Sequence, residues 1–341
     1  MRTFVAALAL MLVSSACGSS APSSDDGPLT IRLGFFPNLT HAPALVGLQN
    51  GLFAGQLGQA VTIEQHTFNA GGDAVIAVLS GSIDVSFVGP NPTVNAYVQS
   101  RGQAIRVISG ATSGGALFVV QPGITSPSQL RGRKIADPQL GGTQDVALRW
   151  YLKSVGLNTD TLGGGDVSVL PQDNSQTLNA FKQRQIDGAW VPEPWASRLV
   201  VEAGGRVLVD ERDLWPNGNF VTTDVIVATQ FLHNHPKRVK ALLEGLYATV
   251  AFLNANAAQA QSIASAAVAR ITGKKLADGV VSAAWPHMGF TLDPLAATLK
   301  TSADHARSLG LLRDANLNGL YDLTLLNEVL AEHNQAAVSG L

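Results

Sequence analysis

Ile83-Asp84-Val85-Ser86-Phe87-Val88 and Ile186-Asp187-Gly188-Ala189-Trp190-Val191 are the two stretches on which the fold turns. They share Ile, Asp and the closing Val, and each places an aromatic residue fifth. Each follows an amphipathic helical pattern and runs straight into a Pro-rich turn, Gly89-Pro90-Asn91-Pro92 or Pro192-Glu193-Pro194. Six positions alone also arise by chance between strand entries. The common setting of helix, strand and Pro turn favours a structural repeat of two α/β halves.

Outward from these stretches, short β-branched runs alternate with helix-length segments. Ile31–Phe36, Val61–Phe68, Val85–Val88 and Ile105–Ser109 read as strands, separated by helices over 42–51, 72–80 and 92–100. The rhythm restarts with strands at 134–136, 167–170 and 188–191 and helices over 143–155, 175–184 and 194–203. Such βαβα order implies parallel strands with crossover helices. After a strand at 225–228 the chain turns to long Ala- and Leu-rich helical stretches.

The chain has 341 residues, 23 Lys+Arg against 25 Asp+Glu, 14% charged residues and one Cys. A formal net charge of -2 offers no basic surface for nucleic acid, which needs clustered Lys and Arg. One cysteine makes neither an internal disulfide nor a thiolate metal cluster. The charge fraction is below the roughly 25% usual in soluble domains. The longest strongly apolar run, Phe4–Val13, is about half of the roughly 20 residues a spanning helix needs. Arg2 before it and Ser14-Ser15-Ala16-Cys17 after it form a secretory signal over 1–16. The small residues ahead of Cys17 resemble a bacterial lipobox, although Ser14 stands where Leu is usual. Cys17 then becomes a lipid anchor, followed through Pro28 by a flexible tether.

Ligands of open parallel α/β sheets sit beyond the carboxyl ends of the strands. The residues there are Pro37–His41, Asn69–Gly72, Gly89–Pro92, Ser113–Gly115, Gln139–Gln144, Pro192–Trp195 and Thr222–Asp224. Individually they read as caps and turns. All seven lack Lys and Arg, and many open a helix, whose free N–H groups suit a small anion. Trp190, Trp195 and Trp215 crowd one stretch and would wall an apolar ligand part or belong to the core, with Trp195 the better cleft residue. Catalytic signals are missing: the seven His are scattered, and no nucleophile elbow, Walker loop or zinc-protease helix occurs. His233 and His235 precede Pro236 in a helix-entry loop. Asp314-Ala-Asn316-Leu-Asn318-Gly319 begins like a calcium loop but has Leu325 in the twelfth place, where Glu is needed. No enzyme activity, metal or cofactor is expected.

Ile31-Arg-Leu-Gly-Phe-Phe-Pro37-Asn38-Leu-Thr-His41-Ala-Pro43 resembles the opening of substrate-binding proteins of ABC importers in the aliphatic sulfonate, nitrate and taurine group. Val88–Pro92, Gly110–Gly115, Pro138–Asp145 and Asp187–Trp195 resemble the same group, so the likeness runs from about Leu29 to about Val329. It implies an α/β, two-lobed type II periplasmic-binding-protein fold. Each lobe would be a mostly parallel sheet flanked by helices, with ligand in the cleft between them. Lobe one would be 29–114 and 225–341, and lobe two 115–224. Crossovers would lie near Gly115–Val119 and Thr222–Val227.

The resemblance further implies a hinge-closing receptor that hands a small anion to a membrane permease and its ATPase. It would act as a monomer on the extracytoplasmic face. Asn38, Thr40, His41, Asn91, Ser113 and Gly114 would hold the ligand from lobe one. Gln139, Thr143 and Gln144 would cover it from lobe two, with Trp190 and Trp195 on its organic tail. Asp224 would bind an amine or orient the hinge. Glu193 would point away, cap the helix at Pro194, or read a polar or cationic tail. An aliphatic sulfonate, taurine included, is the first expectation. Nitrate, bicarbonate, a thiamine pyrimidine precursor and a non-transport sensor are the alternatives. A few enzymes of pyrimidine biosynthesis share the fold but would need Cys-based chemistry that this chain lacks beyond Cys17.

Overall fold

Val225 and Val227 enter one apolar cluster while Ile226, between them, enters another. That alternation is the period of a strand buried on both faces. It governs the whole molecule, a computed structural model that describes residues 25, 27–313 and 316–341. The expected signal segment, Cys17, all but 25, 27 and 28 of the tether, and Asp314 lie outside the described residues.

Eleven strands occur among the described residues: β1 (Leu29–Phe35), β2 (Val61–Thr67), β3 (Val85–Val88), β4 (Ile105–Gly114), β5 (Ala116–Val120), β6 (Lys134–Asp137), β7 (Ser168–Pro171), β8 (Gly188–Pro192), β9 (Arg206–Asp210), β10 (Val221–Ala228) and β11 (Met288–Phe290). They form two sheets, ordered β11-β4-β10-β3-β1-β2 and β7-β6-β8-β5-β9. Both are mixed. β10 runs antiparallel to β3 and β4, and β5 runs antiparallel to β8 and β9. Apart from β11, the sheets superpose in order: β2-β1-β3-β10-β4 answers β7-β6-β8-β5-β9.

The repeated Ile-Asp pairs explain that correspondence. Asp84 opens β3 and accepts the backbone N–H of Arg32 at 2.8 Å, while its own N–H donates to the Arg32 carbonyl at 2.9 Å. Asp187 opens β8 and does the same with Lys134, at 2.9 and 2.8 Å. In each sheet the aspartate fastens a strand to its parallel neighbour, β3 to β1 and β8 to β6, and carries an arginine, Arg32 or Arg133.

Helices cover both faces of each sheet. Ala42–Gln49, Pro236–Ala255, Ala257–Thr272 and Thr324–Glu332 pack on one side of the first, and Gly71–Leu79, Pro90–Gln99 and Ala296–Ser308 on the other. Thr143–Ser154 covers one face of the second sheet, and Asn174–Lys182 with Trp195–Ala203 cover the other. The chain leaves the first sheet at Gly115, between β4 and β5, and returns over residues 211–220. The stretch expected as the return crossover, Thr222–Val227, is instead part of β10, in the interior of the first sheet. Its unbroken β-branched run suits a strand covered on both sides.

Candidate functional site

Between the carboxyl ends of the two sets of strands lies an inner cavity of about 40 Å³. At roughly 10–15 Å³ per water-sized occupant, it takes a group of only a few atoms. Four helix N-termini end at it. Gly71–Leu79 and Pro90–Gln99 come from the first sheet, and Thr143–Ser154 and Asn174–Lys182 from the second, with Gly71, Gly89, Gly142, Thr143 and Asn174 in the lining. None is capped by its own N-cap side chain, although Gln139, after β6 in the second sheet, takes the Gly72 N–H. Helix N-termini present N–H groups without intrahelical partners and a partial positive charge. The Pro90–Gln99 end is the weakest donor, because Pro90 and Pro92 have no N–H.

No Lys or Arg lines this cavity. Its one basic group is His41, whose pKa burial pushes down to about 3, so the ring is neutral. His41 Nδ1 accepts the Phe36 N–H at 3.3 Å, which leaves Nε2 to carry the proton, and the ring stacks on Phe36. Acidic groups nearby are neutralised within the protein. Asp145 accepts Gly141 N–H at 2.8 Å and Arg149 Nε at 2.6 Å. Burial and then the Asp145 charge push the Asp137 pKa well up, which disfavours a negative charge there. The floor is therefore a set of neutral donors and helix ends, which favours an anion.

Among the expected residues, Asn38, Thr40, His41, Gln139, Thr143 and Gln144 line the inner cavity. Asn69, Asn174 and Thr222 join them. Asn174 is 7% exposed and its Oδ1 has no hydrogen-bond partner among the described residues. It lies three residues past the end of β7, so the rule that picked the other strand ends also reaches it.

Contacts across the cleft are many. Gly72 N–H donates to Gln139 Oε1 at 2.8 Å, and Leu39 N–H to the Glu193 carbonyl at 3.1 Å. Trp195 Nε1 donates to Asn38 Oδ1 at 2.9 Å. A Cβ added at Gly89 would collide with Thr143 Oγ1, so glycine is what lets these helix ends approach. Beyond the inner cavity, and sharing Asn38, Asn69 and Asn174 with it, opens an outer chamber of about 280 Å³ walled by Trp195.

Other expected residues lie elsewhere. Trp190 is fully buried, stacks on Phe118 at 5.3 Å and donates Nε1–H to Glu211 at 2.7 Å, so it is core and not cleft wall. The side chain of Asn91 is held by Ser302. Ser113 Oγ accepts the Phe220 N–H at 3.3 Å, and Gly114, at φ 72°, forms the turn where the chain changes sheet. Glu193 accepts Ser197 N–H and Oγ–H at 3.0 and 2.9 Å, which selects helix capping among its three options; burial pushes it up to about 7. Asp224 is buried, and neither carboxyl oxygen has a hydrogen-bond partner among the described residues. Burial and then the Asp293 charge push its pKa well up. It lines neither chamber. No group of three or more His, Cys, Asp or Glu among the described residues is placed to hold a metal ion, and no helix there is long and apolar enough to cross a membrane.

Two mixed α/β units face each other across a cleft, and solved structures share this two-lobed fold. The alkanesulfonate-binding protein SsuA from Xanthomonas axonopodis pv. citri, bound to MOPS, matches 85% of this chain and 96% of its own at TM-score 0.70 and 19% identity. The periplasmic nitrate-binding protein NrtA from Synechocystis PCC 6803 matches 89% and 88% at TM-score 0.72 and 15% identity. The chain belongs to the NMT1-like family, whose model matches residues 25–268. The taurine-binding periplasmic protein of Escherichia coli is 28% identical over 200 residues, 58% of this chain and 59% of that protein. The chain thus spans about three fifths of the length of the curated relatives it matches.

Proposed function

We propose that this protein is the extracytoplasmic substrate-binding component of an ABC importer and that it captures a small organic oxyanion, an aliphatic sulfonate first. The observation that carries the reading is the meeting of four helix N-termini, none capped by its own N-cap side chain, around a cavity with no charged side chain in its lining. Preorganised N–H groups in a closed site bind an anion strongly without a counter-charge. Asn38, Thr40, Gln139, Thr143 and Asn174 would supply further polar contacts. The outer chamber favours a ligand with an organic tail, and so sulfonate over a bare inorganic ion. Nitrate or bicarbonate is the second reading, favoured by the small inner cavity.

The two lobes, one built on each sheet with 221–228 in the first, would open about the connections at Gly115 and over 211–220. Ligand bridging the two sets of helix ends would favour the closed form, which the permease and its ATPase would recognise. Cys17 would tether the receptor to the membrane as a monomer. Thermal-shift measurements with alkanesulfonates, taurine, nitrate, bicarbonate and pyrimidines test the ligand class. Stabilisation by sulfonates supports the reading, and a clear shift with a pyrimidine and none with any oxyanion defeats it. Palmitate labelling that persists in Cys17→Ala would defeat the anchor.

A further inference from the structure

The outer chamber has a charge of its own. Its volume of about 280 Å³ compares with roughly 150 Å³ for an apolar cavity that takes a benzene ring. Phe68, Leu178, Pro194 and Trp195 give it apolar walls. Trp195 is fixed by its bond to Asn38 and by the Arg198 guanidinium, 4.5 Å from the ring centroid. Arg198 is partly neutralised by Glu202 at 2.7 Å. Lys274 and Lys275 also line the chamber, and neither has a carboxylate within 4.0 Å among the described residues. Asp173 is the one acidic residue in the lining. A tail that leaves the inner cavity past Asn38, Asn69 and Asn174 therefore enters a chamber with an aromatic wall and a net positive lining.

We infer that the preferred ligand is a doubly anionic organosulfonate: a sulfonate head in the inner cavity, a ring-sized tail on Trp195, and a terminal carboxylate or second sulfonate facing Lys274 and Lys275. This rests on the oxyanion reading above and narrows it. An ammonium-tailed zwitterion such as taurine would bring like charge to that lining, and its two-carbon tail would leave most of the chamber to water. Both lysines are exposed. Their attraction is consequently screened by salt over a Debye length of about 8 Å at physiological ionic strength.

Calorimetric titration of the purified protein with ethanesulfonate, 4-sulfobenzoate, benzenesulfonate and 4-(aminomethyl)benzenesulfonate varies the tail charge at nearly constant shape. At low salt the carboxylate-tailed ligand should bind about tenfold or more tighter than the ammonium-tailed one, with benzenesulfonate between them. In the Lys274→Gln/Lys275→Gln double variant, and in 0.5 M salt, that ratio should fall toward one. Binding of ethanesulfonate together with an order indifferent to tail charge, or a ratio that survives both changes, would overturn the inference and leave the sulfonate reading standing. Failure of every sulfonate to bind would overturn both.

Discussion

The indole N–H of Trp195 donates to the side-chain carbonyl of Asn38 over 2.9 Å, joining a residue that follows β8 to one that follows β1 where the two chambers meet. One bond thus fixes the tail wall against a head-group residue and ties the two sheets across the cleft. Trp195→Phe keeps most of the ring and loses the donor, so sulfonate affinity should fall about two- to tenfold. Trp195→Ala should cost more, and most for bulky tails. Calorimetric binding unchanged in Trp195→Ala would remove the residue from the site.

Trp190, five positions away, should behave in the opposite manner. It fills the core between Phe118 and Tyr151 and satisfies Glu211. Trp190→Ala should destabilise the fold by about 3–5 kcal/mol in urea titration, the usual cost of an aromatic deleted from a core. A loss below about 1 kcal/mol would contradict the placement.

Gly89→Ala tests closure. The new methyl would meet Thr143 Oγ1 only when the helix ends are together. We expect affinity to drop about tenfold or more, with small-angle scattering showing a larger radius at saturating ligand than the parent protein has. Gly55→Ala, on a helix with nothing within 4 Å of the added carbon, serves as the control.

Buried carboxyls set a pH dependence. Glu211, 2% exposed, is pushed up to about 7 by burial, as is Glu193. Each raised carboxyl binds more proton in the folded than in the unfolded chain between about pH 4.5 and 7. Stability from these groups is therefore complete below that window and is lost as pH rises through it. At about 1.36 kcal/mol per pH unit the loss is of order 3 kcal/mol for each group. Glu211→Gln should flatten the fall in unfolding free energy between pH 5 and 7, and an unchanged slope would contradict the assignment.

Much of this architecture was legible in the sequence because the two halves repeat a physical device. Asp84 and Asp187 each lock a strand to its parallel neighbour, β3 to β1 and β8 to β6, and the Ile-Asp echo marks both. Strand periodicity also placed the loops that surround the cavity. Side-chain direction was less accessible. Trp190 turns inward because its position in β8 faces Phe118, a matter of strand register. Asn91 is occupied by Ser302, more than two hundred residues away, while Asn69 and Asn174 remain at the cavity. Such competition between distant partners leaves no local trace. The interior position of β10 also depends on which sheet the returning chain enters, which local pattern does not decide.

A crystal structure with ethanesulfonate bound tests the central claim most directly, because it shows what holds the anion. We predict sulfonate oxygens in the inner cavity, about 2.7–3.2 Å from backbone N–H groups at the N-termini of Gly71–Leu79, Thr143–Ser154 and Asn174–Lys182, with no Lys or Arg in contact. A sulfonate seated on Lys274, Lys275 or Arg198 instead, with those helix ends untouched, would contradict the account.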